Sequence, residues 1–348
     1  MPRDITGRVV RHLFELRRIE NFIGRDVVDP FLLDLFGDIA GAIARIDPVG
    51  VNRAPFRARR LKRLLHDVSA LLGGRFPELR QELRGELARL GVVQGIWARG
   101  TLGRATDGLN VTIGEPAALG VGFFKTILDE EPIERALFST WFKGLSDSSI
   151  QAVSGQITLG VGENETLDQI IRRVRGDSRG RRGVLSATRR DTETIVRTSI
   201  NDIANRAHVE TYKANKRILK GVEYTATLDT RTSDICISLD GRVWPVDSPD
   251  IRRPPQHPNC RSVLVPVVDW AKLGVPAPAE GFRASADGPV SSSTNYTDWL
   301  RSQTIAVQNE IIGPARAALF RAGKLDLRQL VTMDNRSRTI EELEKLVA

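Results

Sequence analysis

Thr227-Leu-Asp-Thr-Arg-Thr-Ser-Asp-Ile-Cys236-Ile-Ser-Leu-Asp-Gly-Arg-Val-Trp244, with Pro254-Pro-Gln-His257-Pro-Asn-Cys260-Arg-Ser262 shortly after it, decides how the chain reads. Both cysteines of the 348-residue chain lie here, with one of its four histidines. A thiolate and an imidazole three residues apart, plus a second thiolate, supply three of the four ligands a tetrahedral zinc prefers. Cys236, His257 and Cys260 are therefore the candidate metal ligands, with zinc in a structural role and no other cofactor expected. The fourth ligand is open: Asp229, Asp234, Asp240 or a water could complete the shell. Ser233 stands three residues before Cys236, where a Cys-x-x-Cys pair would place its partner. Three simpler readings compete. The cysteines are small buried hydrophobes, or they form one disulfide, or His257 bonds a neighbouring turn.

That turn is Leu239-Asp-Gly-Arg242. Asp240 at the bend and Gly241 after it supply the left-handed backbone of a tight hairpin. Asp229 and Arg231 flank a loop and either pair with each other or clamp the turn. Val222-Glu-Tyr-Thr-Ala-Thr227 alternates and is β-branched, hence a strand. Gly241–Trp244 and Ser262–Val267 are its expected sheet partners.

Helices surround this short antiparallel sheet. Residues 186–217 give the clearest one, with Val196, Ile200, Ile203 and Ala207 on one face. Its polar face carries Arg197, Asn201, Asn205 and His208, a ladder suited to tying the helix to a neighbouring loop. Thr166 and Gln169 form a capping box, predicting a helix to Val174. Gly176–Gly183 after it is glycine-rich and basic, but lacks the Gly-Lys-Ser/Thr step of a phosphate loop.

Further upstream, Val9, Leu13, Leu16 and Ile19 mark an amphipathic helix that Asp29-Pro30 should break. Phe31 to Ile46 reads as a second helix ending at Asp47-Pro48. Ala54–Leu72 is a basic helix, with His66 an ordinary member. Phe76–Leu90 is another, stopped by Gly91. Phe123, Phe124, Ile127, Ile133, Trp141 and Phe142 read as core, not as a base-stacking platform.

Downstream, Pro276–Thr294 has linker composition. Trp299–Ile312 reads as one more helix and Thr339–Glu342 caps a last one. The fold class is α+β: a helical N-terminal region over 1–155 and a small α/β module over 156–274. A linker over 275–294 and a helical tail over 295–348 complete it.

Composition sets bounds on function. The chain is 41% hydrophobic and 27% charged, neither membrane-like nor disordered. Its start, charged and without an apolar core, leads us to expect no signal peptide. Two cysteines in a chain of this length fit a reducing compartment better than a disulfide scaffold. Net charge is +8. From Arg172 to Lys220 there are fourteen Lys and Arg against five Asp and Glu, enough to account for the imbalance. Such a stretch attracts polyanions. Arg172, Arg173, Arg175, Arg179, Arg181, Arg182, Arg189 and Arg190 are the candidate nucleic-acid contacts. The alternative is a solvated helix face with an arginine-rich loop.

Arg197-Thr-Ser-Ile-Asn, Asn205-Arg-Ala, Asp229-x-Arg-Thr, Cys236, Leu-Asp-Gly and Pro-Pro-Gln-His-Pro-Asn-Cys-Arg together resemble the head-morphogenesis module of tailed phages, typified by phage Mu protein F. The resemblance covers roughly 160–267. Tyr296-Thr-Asp-Trp-Leu, Gln303 and Gly313-Pro-Ala-Arg are similar to the family's C-terminal pattern more loosely. It implies a minor head protein present in procapsid assembly, associated with the portal protein and with major capsid or scaffold protein. It further implies location inside the head near the portal, delivery with the genome, and host cytoplasm during assembly, with no membrane partner then. Packaged double-stranded DNA would be contacted without regard to sequence. By position the family's cysteine and histidine places fall on Cys236, His257 and Cys260. Many relatives carry further cysteines where this chain has Ser233 and Ser262.

A structural virion protein is thus the expectation, not an enzyme. The alternative is a metal-dependent nuclease built on the His257/Cys260 loop, where a metal and a nearby Asp could activate water. No second histidine or Glu pair lies near that loop to complete a phosphate clamp. A third reading is an adaptor whose N-terminal helices dock portal or scaffold and whose charge is incidental.

Overall fold

The β-branched run after the long basic helix pairs as its alternation predicts. β1 (Leu219–Thr225) lies between β2 (Val243–Trp244) and β3 (Val263–Val268), and both pairings are antiparallel. Pro266 is tolerated because β3 is an edge strand, where a missing N–H breaks no second ladder. This computed structural model describes residues 4–45, 58–116, 119–177 and 182–347. The predicted helix end at Ile46–Pro48 lies outside the described residues.

The remaining elements are α1 (Ile5–Ile23), α2 (Asp29–Ala44), α3 (Ala58–Ala105), α4 (Val121–Glu130), α5 (Phe138–Gly162), α6 (Leu167–Arg175) and α7 (Val184–Ala214). Further along come α8 (Asp234–Leu239), the hairpin β4 (Phe282–Ser285) and β5 (Gly288–Ser291), α9 (Tyr296–Ser302), α10 (Ile305–Ile312), α11 (Pro314–Arg321) and α12 (Ile340–Val347). Contacts divide the chain into two units that do not follow the sequential partition at 155. One comprises Met1–Arg17, Arg89–Phe124 and Asn201–Ala348; the other comprises Arg18–Ala88 and Lys125–Ile200.

Within the second unit, the Asp29-Pro30 break is absent. A π-turn over Gly24–Val28 carries the chain on from α1, and Pro30 falls in the first turn of α2, where its missing N–H costs little. Leu32, Leu35, Phe36, Ile39 and Ile43 of α2 are buried at helical spacing. α6 packs against both α2 and α5. Its capping box forms as expected: Gln169 N–H donates to Thr166 Oγ1 at 3.2 Å and Thr166 N–H to Gln169 Oε1 at 2.7 Å. His66 is an exposed member of α3.

The unit that holds the sheet has its core between α7, β1 and β3, with α1 and the C-terminal part of α3 against it. Val9, Leu102, Val209, Tyr212, Val222, Tyr224, Leu264 and both cysteines belong to this one cluster. The asparagine ladder does the tying it was expected to do. Asn201 Nδ2 donates to the Ser262 carbonyl at 3.1 Å, and Leu264 N–H donates to Asn205 Oδ1 at 3.0 Å. His208 is buried and points elsewhere. Its Nε2 and that of His12 both reach Gln94 Oε1, at 3.1 and 2.8 Å, and His12 stacks on Trp97 with centroids 3.8 Å apart.

Gly91 does not stop a helix: α3 runs through both Pro77 and Gly91. The glycine is there for packing. A Cβ at residue 91 would lie 2.5 Å from the Phe124 ring, so the ring sits directly on the helix backbone. Gly91→Val should therefore lose about 2 kcal/mol to overpacking, despite valine's better helix propensity. Urea unfolding gives the measurement, and a variant as stable as the wild type would contradict this packing.

The segment expected to be a linker is also ordered differently. Within 275–294 the chain makes the β4–β5 hairpin, with Phe282 opposite Ser291 and Ser285 opposite Gly288. Gly, Pro and Ser suit hairpin turns as well as linkers. After it, the single expected tail helix is three short ones, α9 to α11, and Thr339 caps α12 as predicted, with Glu342 N–H donating to Thr339 Oγ1 at 3.3 Å. Tyr296, Trp299, Leu300, Ile312, Phe320 and Leu343 share a core with Leu228 and Ile237, so the tail is packed onto the sheet module.

Candidate metal centre

Two local structures present the sulfur and imidazole groups. Cys236 sits in the first turn of α8, a short helix in place of the loop expected between the strands. Ser233 is that helix's N-cap, its hydroxyl accepting from Cys236 N–H, so it serves the backbone and not the place of a second thiol. His257 and Cys260 bracket a turn closed by Cys260 N–H to the His257 carbonyl at 3.2 Å. Asn259 takes the left-handed conformation that turn needs, φ +60°.

These pieces converge. Cys236 Sγ lies 3.2 Å from His257 Nε2 and 3.7 Å from Cys260 Sγ. All three ligand atoms lie within 4.8 Å of one another, and the group could hold a metal ion. Both cysteines are buried free thiols, which removes the disulfide reading for this structure. His257 Nδ1 donates to the Pro258 carbonyl at 2.8 Å, which fixes the ring with Nε2 toward the sulfurs. The alternative in which His257 bonds the Asp-Gly turn is not what forms.

The two thiols titrate as a pair. The hydrogen bond between them drives Cys260 well below the ordinary thiol range, helped by His257, and drives Cys236 well above it, helped by burial. Tyr224, buried behind them, brings its hydroxyl to 3.2 Å from Cys236 Sγ.

None of the three candidate aspartates is free to join. Asp229 holds Arg261 through two hydrogen bonds, one of them 2.8 Å. It also accepts from Arg231 N–H at 3.0 Å and Thr232 Oγ1 at 3.1 Å. Burial pushes the Asp229 carboxyl up, but Arg261 and these donors outweigh it and hold it below its usual range. Asp234 pairs with Arg316 at 2.8 Å. Asp240 pairs with Arg283 at 2.6 Å and accepts backbone N–H from Ala226 at 2.6 Å and Tyr296 at 2.7 Å.

Of the two roles expected for Asp229 and Arg231, the pairing forms, at 3.9 Å and with the Arg231 side chain 74% exposed, while other arginines make the closer contacts. Arg261 takes the role at Asp229, and Arg283, from the hairpin, takes it at Asp240. Gly241 does supply the left-handed turn, at φ +75°. Arg261 adjoins Cys260 and was open to inference from the motif. Arg283 sits in a Gly/Ser/Pro-rich stretch that carried no signal of burial.

The candidate nucleic-acid arginines split into groups. Arg173 pairs with Glu163 and, at 2.6 Å, with Glu165; Arg189 pairs with Asp29 at 2.7 Å and Glu193 at 3.1 Å. Arg172, Arg175, Arg182 and Arg190 are exposed, with no ion pair among the described residues. Arg179 and Arg181 lie outside the described residues.

Among the described residues no helix is long and apolar enough to cross a membrane. Neither the comparison with curated proteins nor that with solved structures finds a match. Residues 151–265, which take in α7, β1, β2 and all three candidate ligands, match the family model described as Phage Mu protein F like protein.

Proposed function

We propose that the chain is a minor head protein of a tailed phage, a building part of the virion stapled by one structural zinc. It takes its place inside the head near the portal, during assembly in the host cytoplasm, and accompanies the DNA on ejection. Its partners are the portal protein, major capsid or scaffold protein, and packaged DNA. The observation that carries this reading is the Cys236–His257–Cys260 group lying inside the segment that matches the Mu F model. Position and protein partners rest on that family likeness; DNA contact rests also on the exposed arginines of 172–190.

The donor set fits zinc. With Zn–S bonds of about 2.3 Å in a tetrahedron, two sulfurs lie roughly 3.8 Å apart. The observed separation is 3.7 Å. Bound there, zinc would hold both sulfurs as thiolates and join α8 to the His257–Cys260 turn, with a water as fourth ligand. A structural role is favoured over catalysis because both thiols are buried and every nearby carboxylate is occupied by an arginine. A nuclease would need one of those carboxylates free to take a proton from water.

Metal analysis of the purified chain tests this. About one zinc per chain is expected, and almost none in Cys236→Ser or Cys260→Ser. Melting should fall on chelation in the wild type but not in those variants. A metal-free wild type with the same melting point as Cys236→Ser would end the zinc reading. Plasmid incubated with the protein and Mg²⁺ or Mn²⁺ should stay intact; nicking lost in His257→Ala would make the protein an enzyme instead. Particles assembled with a labelled chain should show it beside the portal.

A further inference from the structure

The basic start of α3 has no part in the metal centre or in the 172–190 stretch. It lies against α2, which runs the opposite way. Phe31 and Phe76 bring their rings to 6.3 Å, and Arg75 pairs with Asp34 at 2.7 Å and Asp38 at 3.2 Å. Further along α2, Ala42 and Arg45 face earlier turns of α3 across a cavity of about 530 Å³. From α3, Arg60, Arg63 and Asp67 contribute to its lining.

Charge matching stops at this end of the helix pair. Elsewhere in the same unit arginines are neutralised: Arg75 by Asp34, Asp38 and Glu78, Arg173 by Glu163 and Glu165, Arg189 by Asp29 and Glu193. α2 carries no acid after Asp38. Arg45, Arg60 and Arg63 are exposed and make no ion pair among the described residues. Asp67 is the one carboxylate in the lining, facing three guanidinium groups. Residues 46–57, which join the two helices in sequence, add Arg53 and Arg57 against Asp47 and do not redress the balance.

The lining is not only cationic. Leu64, buried, and Leu71, half-buried, give the cavity an apolar wall. A phosphate backbone has nothing apolar to set against it. A peptide does: it places an aliphatic side chain on the leucines and carboxylates on the guanidinium forks. Asp67 would repel a phosphate, but accepts a backbone N–H of a peptide readily.

We propose that this cavity is a docking site for an acidic segment of a partner protein, one that carries an apolar side chain between carboxylates. The site depends neither on the head-protein reading nor on zinc.

Anisotropy of the labelled peptide Glu-Glu-Leu-Glu-Glu-Leu-Glu-Glu with the full chain tests this, beside Glu-Glu-Ser-Glu-Glu-Ser-Glu-Glu and a labelled DNA duplex. The leucine peptide should bind more tightly than the serine one. A triple variant at exposed positions (Arg45→Gln, Arg60→Gln, Arg63→Gln) should weaken it by about tenfold to a hundredfold. A quadruple variant (Arg172→Gln, Arg175→Gln, Arg182→Gln, Arg190→Gln) should bind it as the wild type does. Leu71→Ser should weaken the leucine peptide and leave the serine one unmoved, which charge attraction alone would not produce. Wild-type affinity in the triple variant, or no preference for leucine over serine, overturns the proposal. Duplex binding lost in the triple variant, with the leucine peptide ignored, would give the cavity to nucleic acid and overturn it equally.

Discussion

Asp240→Ala should destabilise the protein by about 3–5 kcal/mol, more than any other single change to the polar groups of the sheet module. The side chains of Asp240 and Arg283 are 1% and 2% exposed. Removing the carboxylate leaves a guanidinium charge with no counter-charge in the interior. Two backbone N–H groups, of Ala226 and Tyr296, lose their acceptor at the same time. Arg283 keeps only carbonyl partners, those of Thr294 and Ala226. Guanidinium unfolding should show the loss as a shifted midpoint. Asp240→Leu with Arg283→Met should be milder than Asp240→Ala alone, because no charge is then stranded. A loss under about 1 kcal/mol for Asp240→Ala would mean that the pair is hydrated and the clamp unimportant.

The second large effect is a dependence on acid. His208 is buried, and burial, with the neighbouring His12 charge adding to it, holds its pKa down to about 3. In the unfolded chain the same imidazole titrates near 6.5. Between these values the unfolded state binds the proton and the folded state does not, so stability is complete above about pH 6.5 and drains away as pH falls towards 3. At about two pH units below the unfolded pKa the loss from this residue is roughly 3 kcal/mol. His12, whose pKa is lowered first by burial and only partly restored by Gln94 and Glu15, adds in the same direction. His208→Gln removes the titrating group, so the difference in stability between neutral and acidic buffer should shrink by that amount. Equal pH dependence in the variant and the wild type would show that the imidazole is protonated or hydrated in place.

How much of this could be read from residues alone differs by element. The three strands were legible because alternation of β-branched residues survives burial on one face or both. The cysteines and histidine were legible because those types are scarce and their spacing is chemical. α8 was not, since Ile235 and Ile237 alternate like a strand, and six residues are too few to show a helical period. The continuity of α3 was not legible either: glycine at 91 is a stop signal locally, and only Phe124, from another part of the chain, gives it a different reason to be there. Arg283 shows the same limit more sharply. A lone arginine amid glycine, serine and proline has every mark of solvent exposure, and its burial is decided by a carboxylate forty-three positions earlier. The zinc-type group and its sheet thus followed from local pattern, whereas the charge pair that fastens the tail did not.

The bond between Asp240 and Arg283 bears on where the chain can be cut. The family match ends at residue 265, ahead of the hairpin. A fragment trimmed to that border would keep the acid and discard its base, together with the Tyr296 amide that shares it. A fragment meant to keep this pair and that amide must extend into α9, past the border of the family match.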